Sequence, residues 1–565
     1  MADETKLIIA IDFGTTFSGA AYVLTNRPDR VVLVTDWPNA TSRTRREPIY
    51  RSRKVPTQLR FPPGGGDPEW GFLIPADARG DEVLRLIKLG LESKQVPPDS
   101  EAGKTVAALW AVHDIDRLIE QYLSGLLGVV LETIRKFHFR ATDDYPVHFI
   151  LTVPAIWSER STQRTIRALQ QARGFPKGKD AAAATVSVVS EPEAAAIYTL
   201  HKADRHDLKV GDTFLVVDAG GGTVDLVTYR VEALRPTLEV TETAPGSGGM
   251  CGSQMLNSRF QQFLDAKLGE AEGYDDEVRE EAVDHFELDT KRKFRTAAIP
   301  HETYYIPLPG VARNEALGIK RPGRMFLKAT EMHQIFEPIV SDVIRLVKEQ
   351  IIASNAPVRK IMLVGGFGQS EYLKERIQAA VQTRSQQQQQ PIEIIQPEYA
   401  WQSVVQGAVL KGLSTHSTKG VTHVRVKARA ARKHYGTEVG ALYNDYLHAS
   451  VKDKQWYDGL DGVWRVDVMD WFIRRGEIVS EQVPFFKHLS VTQRVAHGRP
   501  AAIRTQIYAD DLSPEAPLTC NKNVNVLCIL EADLSSIPEE DLDRRRGADG
   551  LMYYVVEFQV ESIRG

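Results

Sequence analysis

Two short stretches of this 565-residue chain place an acid at the end of an apolar run and follow it with glycine and threonine. They are IDFGTT, Ile11 to Thr16, and DAGGGTVD, Asp218 to Asp225. Each lies between two runs that read as strands, so each is a hairpin turn whose glycines weaken the strands they join. A bare glycine backbone lets an anion reach N–H groups that a Cβ would screen. Gly14, Thr15 and Thr16 in the first turn, and Gly220, Gly221, Gly222 and Thr223 in the second, therefore offer N–H and hydroxyl donors suited to phosphate oxygens. Asp12 and Asp218 stand just before their turns, where a carboxylate can hold a hydrated Mg²⁺ through water. Either turn alone is an ordinary hairpin. Together, IAIDFGTTFSGAAYV and LVVDAGGGTVDLVTYRV repeat strand, Asp, glycine turn, strand and then Tyr22 or Tyr229. The repeat predicts a duplicated unit in which two hairpins clamp one magnesium nucleotide.

Two other nucleotide-like stretches fail on spacing. AGKT at 102–105 has Pro98 where a P-loop needs its first glycine, and GGFG at 365–368 has Glu371 where a dinucleotide fingerprint needs its last. Gly365, Gly366 and Gly368 still follow the strand Lys360 to Val364, where a flat base and ribose can lie close to the backbone.

The elements that must position these residues follow from periodicity and turn signals. Residues 7–24 predict a hairpin, 37–69 a Pro-, Arg- and Gly-rich surface excursion, and 104–138 a helical zone. A strand is expected at 147–153, ended by Pro154, then a helix at about 158–173 stopped by Gly174. Thr185 to Val189 predicts a strand running into SEPEAAAIYTLHKA, where Ser190 and Glu193 make a capping-box start. Helices are expected from Gln254 to about Leu268, at 275–294 and at 331–354, and glutamines 386–390 as an exposed loop tip. After about Leu413 alternating β-branched and aromatic runs take over. A boundary near 414 thus separates residues 1–413 from a β-rich domain at 414–565.

Composition bounds the rest. With 42% apolar and 25% charged residues the chain is ordinary globular material, long enough for several domains. Lys plus Arg number 70 against 74 Asp plus Glu, a formal charge of −4, which predicts no broad affinity for nucleic acid or acidic membranes. Cys251, Cys520 and Cys528 have no metal-type spacing and suggest a reducing compartment. The acidic start MADETK and the short apolar runs predict neither a signal peptide nor membrane insertion, so the expected location is cytoplasmic or nuclear.

At these motifs the chain resembles the actin-like ATPases, and within them a divergent branch of the seventy-kilodalton heat-shock protein family. IDFGTT is similar to that family's first phosphate loop, LTVPAIW and SEPEAAAIY to its connecting segments, DAGGGTVD to its second phosphate loop, and IMLVGGFGQS to its adenosine loop. The matches run in family order from about 7 to 413. The resemblance implies an α/β, ribonuclease H-like, two-lobed nucleotide-binding domain followed by a β-rich client-binding domain. It implies ATP and ADP as ligands with Mg²⁺, slow hydrolysis to ADP and phosphate, and a chaperone role in stress response served by co-chaperones and an exchange factor. By the same resemblance Asp12 and Asp218 belong to the magnesium shell, and Thr15, Thr16 and Thr223 to the phosphates. Glu191 orients water, Lys88 is the counterpart of the catalytic lysine, and Gly365, Gly366 and Gly368 line adenosine. Lys291 and Arg292 pack on base and ribose, while Pro154 and Arg164 occupy the region that relays nucleotide state.

Two departures stand out. The acid expected three residues before Lys291 is replaced by Leu288, with Glu287 one place earlier, and RLIKLGLES around Lys88 differs from the usual pattern. Beyond 413 the likeness is poor, with no acidic-leucine linker, helical lid or acidic tail motif. There the basic run Arg425, Lys427, Arg429, Arg432 and Lys433 reads as a solvated strand face. Trp456, Trp464, Trp471, Phe485 and Phe486 read as sandwich core, with a peptide groove as the alternative. A small-molecule kinase on the same fold and an actin-like assembly protein are the competing functions.

Overall fold

A computed structural model describes residues 4–40, 52–75, 77–96, 98–137, 145–177, 184–202, 208–235, 237–295, 303–388, 391–397, 400–416, 424–481 and 483–562. The chain is mixed α/β and divides into two compact units, Met1–Val240 with Gly246–Arg425, and Thr241–Pro245 with Val426–Gly565.

The first unit contains two sheets of matching topology. In one, β1 (Leu7–Asp12) pairs antiparallel with β2 (Phe17–Leu24) and parallel with β3 (Val147–Val153), which pairs parallel with β4 (Ala184–Ser190). In the other, β5 (Thr213–Ala219) pairs antiparallel with β6 (Val224–Ala233) and parallel with β7 (Val358–Val364). β1, β3 and β5 are buried along their whole length, so they are continuous apolar runs rather than alternating ones. Each sheet anchors its own hydrophobic core, one built from residues between Leu7 and Phe175 and one from residues between Leu215 and Ile392. Tyr22 and Tyr229 take corresponding places, opposite Ile9 and Phe214, and both are buried.

The helices that deliver functional residues start where the local sequence dictates. Helix α1 (Glu191–Lys202) begins directly after β4, with Ser190 Oγ accepting the Glu193 N–H at 3.4 Å. The expected capping box does not close, because the buried Glu193 carboxylate lies 3.3 Å from Lys411 instead. Helix α2 (Ser253–Leu268) follows the second glycine-rich stretch, and α3 (Asp276–His285), capped by Asp275, runs into one π-helical turn at Phe286–Thr290.

Three expectations are corrected. Residues 37–69 are more than a surface excursion: Trp37, Val55 and Leu59 are buried in the first core, and only 41–51 lie outside the described residues. The glutamine tract is not wholly a loop tip, since a helix runs Glu371–Gln388 and only 389 and 390 lie outside the described residues; glutamine is a good helix former. In the second unit Trp456, Trp464 and Phe486 are exposed, by 39%, 53% and 46%. Of that aromatic set only Trp471, whose indole N–H donates to the Pro517 carbonyl at 2.6 Å, and Phe485, stacked on Phe472, behave as packed residues.

The second unit comprises a five-stranded sheet, in the order Trp456–Asp458, Val463–Ile473, His434–Leu442, Ala502–Asp510 and Asn525–Asp533, and a three-stranded one. Along Val424–Ala430 the valines and alanines are buried while Arg425 and Lys427 are exposed, the alternation expected of a solvated face. Arg429 departs from it through an ion pair with Glu481, and Lys433 lies 3.8 Å from Asp511. No helix among the described residues is long and apolar enough to cross a membrane.

Candidate functional site

The two glycine turns meet face to face. A Cβ on Gly221 would lie 2.6 Å from Thr16 Cγ2, and one on Gly222 would lie 2.6 Å from Thr15 Oγ1, so the second turn approaches the first as only glycine permits. Gly14 is equally constrained, because a Cβ there would strike the Phe17 carbonyl. The second turn is closed by the Gly220 N–H donating to the Thr223 carbonyl at 2.9 Å. The carbonyls of Gly220, Gly221 and Gly222 accept from Ser253, Gln254 and Gly252 at the start of α2. That orders the turn from behind and presents its other side to the cleft. Asp12, Gly14, Thr15, Thr16, Glu191, Asp218, Gly220, Gly221, Gly222, Thr223, Lys291, Arg292, Gly365 and Gly366 line one cavity of about 240 Å³. This is somewhat below the roughly 300–1,000 Å³ usual for small-ligand pockets.

Carboxylates crowd one end. Asp12, Asp218 and Asp225 are buried, and Glu191 joins them from the first residue of α1. Burial pushes Glu191 up from 4.5 to about 7; Lys88 opposes this and the charges of Asp12 and Asp225 add to it. Burial also raises Asp218 well above its ordinary range, reinforced by Glu191, Asp225 and Asp12 and eased by Lys54. Asp225 is raised by burial against the hydroxyl of Thr223 and the Ile156 N–H, which donates to its Oδ1 at 3.2 Å. Thr223 thus serves Asp225 as well as the cavity. A cation beside these groups would relieve such mutual repulsion. Four carboxylates against two ammonium groups, Lys54 and Lys88, leave a deficit of two positive charges when all are ionised, which one divalent cation closes. Among the described residues no three acids, histidines or cysteines gather as a direct metal cage, so the donor set suits a hydrated ion held through water.

The strand-end glycines and the lysine helix complete the cavity wall. Gly365 has φ +85°, and a Cβ on it would lie 2.5 Å from Asp218 Oδ1, so the strand-end glycine is required for close approach to the second turn. Glu287 stands four residues before Lys291, a spacing that shares one helix face, and forms an ion pair with it; Glu287 also accepts from Asn257 Nδ2 at 2.6 Å. Leu288, in the position the family pattern assigns to the acid, points to solvent. Burial pushes the Lys291 ammonium down, opposed by Glu287. Arg292 is exposed at the cavity edge.

Two of the expected residues do not line the cavity. Lys88 stands behind Glu191, its Nζ 2.5 Å from Glu191 Oε1, 1% exposed and 5.1 Å from the Trp157 ring centroid. Gly368 is buried in a short turn, its carbonyl accepting from Gln396 Nε2 at 2.6 Å, so it shapes the loop after β7 rather than lining the cavity. Arg164 donates to Asp116 at 2.8 Å and to the Leu91 carbonyl at 3.1 Å, while Pro154 ends the buried β3.

Lys54 and Trp401 line the cavity without having been anticipated. Lys54 falls in the stretch read as a surface excursion, although the β-branched and proline residues of KVPT mark an edge strand that could have flagged it. Trp401 packs edge-on to Phe17, with ring centroids 5.4 Å apart. A lone tryptophan opening the helix Ser403–His416 was its one sequence signal.

No family model matches the chain. Curated relatives do. Human heat shock 70 kDa protein 12A is 25% identical over 562 residues, covering 84% of this chain and 78% of that protein. Human heat shock 70 kDa protein 12B is 24% identical over 512 residues, covering 74% and 70%. The chaperone protein DnaK of Thermoplasma volcanium is 24% identical over 272 residues, covering 46% and 40%.

Proposed function

From a chain that stands on a divergent branch of the seventy-kilodalton heat-shock family, we propose a protein that binds ATP and ADP, hydrolyses ATP slowly, and uses its nucleotide state to control a client held by the β-rich second unit. The observation that carries the reading is the closure of Gly221 and Gly222 onto Thr16 and Thr15 beside four carboxylates, three of them buried and Glu191 half-buried.

In this reading Asp12 and Asp218 would hold a hydrated Mg²⁺, which would neutralise charge on the phosphates. The amides of Gly14, Gly221 and Gly222 and the hydroxyls of Thr15, Thr16 and Thr223 cradle the phosphate oxygens. Glu191 accepts a hydrogen bond from the attacking water and aligns it with the γ-phosphorus. Lys88 holds Glu191 in place and lends its charge to the transferred group. The water oxygen forms the new P–O bond as the β,γ-bridging bond breaks, giving ADP and phosphate with no covalent intermediate. Because β1–β2 and β5–β6 each contribute one turn, loss of the γ-phosphate removes a bridge between the two sheets and loosens the clamp. Gly365, Gly366, Trp401, Lys291 and Arg292 take the adenosine.

The exposed Trp456, Trp464 and Phe486 support client binding by the second unit. Pro154 and Arg164 are the proposed start of the relay to it, with co-chaperones and an exchange factor as the family's usual partners. A reducing compartment, cytoplasm or nucleus, suits the three free cysteines. ATP turnover measured with and without an unfolded apolar peptide tests the whole: several-fold stimulation is expected. Turnover indifferent to peptide, or transfer of the γ-phosphate to a sugar, overturns the chaperone reading.

A further inference from the structure

Lys54 has no task in the scheme above, yet the fold fixes it at the metal end of the cleft. Its Nζ lies 2.6 Å from Asp12 Oδ2, the residue is 7% exposed, and the other Asp12 oxygen accepts the Thr152 hydroxyl at 3.2 Å. Backbone pairing holds it there. Val55–Pro56 pairs with Phe17–Ser18, the Thr57 N–H donates to the Thr16 carbonyl at 2.8 Å, and the Ser18 and Thr57 hydroxyls meet at 2.8 Å. Lys54 is therefore tied to the strand that carries the first glycine turn. Its stem packs over Gly19, where a Cβ would lie 3.3 Å from Lys54 Cγ, and its head lies 6.0 Å from the Trp401 ring centroid.

An ammonium buried this deeply is unfavourable unless it is paired, and Asp12 is the partner the fold supplies. We propose that Lys54 is a tethered cation for this nucleotide site, neutralising Asp12 when the site is empty and meeting the phosphates when it is filled, so that nucleotide binding depends only weakly on Mg²⁺. The inference rests on the nucleotide-site reading. Without Lys54, Asp12, Glu191, Asp218 and Asp225 would face a metal-free polyphosphate with Lys88 as the remaining ammonium among the described residues at this end, and that ammonium is committed to Glu191. Lys54 also competes with a hydrated divalent ion for Asp12. Removing it has two effects of opposite sign: metal-free nucleotide binds more weakly, and the divalent ion is held more tightly.

The test is calorimetry of ADP binding in excess Mg²⁺ and in EDTA, on the unaltered chain, Lys54→Met and Lys54→Arg. The unaltered chain is expected to lose no more than about tenfold in affinity on removal of Mg²⁺, a difference of about 1.4 kcal/mol. Lys54→Met loses at least about tenfold more than that, and Lys54→Arg, which keeps the charge, follows the unaltered chain. An unchanged ratio in Lys54→Met overturns the inference. So does a unaltered chain that binds ADP tightly with Mg²⁺ and not measurably in EDTA, a result that needs no variant and so does not depend on the folding of Lys54→Met. Absence of ADP binding in both buffers is a different outcome, which removes the nucleotide reading itself and this inference with it.

Discussion

Lys88→Met is expected to bind ADP within a few-fold of the unaltered chain and to lose ATP turnover by about 100-fold or more, the usual cost of removing one donor that meets developing charge. The two effects separate because Lys88 does not line the cavity. It stands behind Glu191, 2.5 Å from Oε1, with Phe13 and Trp157 around it. What it supplies is charge and orientation during hydrolysis rather than contact with the resting ligand. The substitution also strands a buried carboxylate. Breaking a buried ion pair from one side costs about 3–5 kcal/mol, eased here because Glu191 already titrates near 7 and can take up a proton. The sign follows from that elevation. A carboxylate whose folded pKa stands above its ordinary value favours folding below that ordinary value and loses this contribution as pH rises through the folded one, so the Lys88→Met chain weakens most above neutral pH. Glu191→Gln in the same chain restores the melting temperature and leaves turnover lost. Single-turnover hydrolysis, ADP calorimetry and thermal melting read the three quantities, and turnover within threefold of normal would remove Lys88 from the mechanism.

Gly222→Val is expected to remove nucleotide binding, by about 100-fold or more, in a chain that still folds. The first atom added would lie 2.6 Å from Thr15 Oγ1 across the cleft, and valine adds two further carbons that fill the space meant for phosphate. Neither turn can retreat easily. The Gly222 carbonyl is tied to the Gly252 N–H at 3.1 Å, and the Thr16 carbonyl to the Thr57 N–H at 2.8 Å. Overpacking of this kind costs about 1–3 kcal/mol in a packed region, which a fold with two separate cores tolerates while the cleft is forced open. Gly64→Ala, at a glycine with nothing within 4 Å of its Cβ position, is the matching control and leaves binding unchanged. ADP affinity by calorimetry, with melting to verify folding, decides it; normal affinity in Gly222→Val means that phosphate does not lie between the turns.

The paired hairpins were legible because their information is local. Strand, acid, glycine turn and strand are contiguous in sequence, and β1, β2, β5 and β6 form where the apolar runs predict them. The acid partner of Lys291 was legible only as a departure from the family pattern. Glu287 stands four residues before Lys291 rather than three, and both spacings share one helix face, so the pair forms although the motif is shifted. Lys54 was hidden for a different reason. Its role depends on Val55–Pro56 pairing with Phe17–Ser18, a contact about 40 residues away in sequence that composition cannot report. The aromatic residues of the second unit show a third limit. Alternation tells which side chains share a face of a strand, as for Trp464 along Val463–Ile473, but not whether anything covers that face.

The central claim is that Asp12 and Asp218 hold a magnesium nucleotide between two glycine turns. Calorimetry of Mg-ATP on the unaltered chain, Asp12→Ala and Asp218→Ala tests it most directly. The account predicts saturable binding by the unaltered chain and, in each variant, loss of the affinity that Mg²⁺ contributes, up to about tenfold. Affinity unchanged in both variants would contradict it.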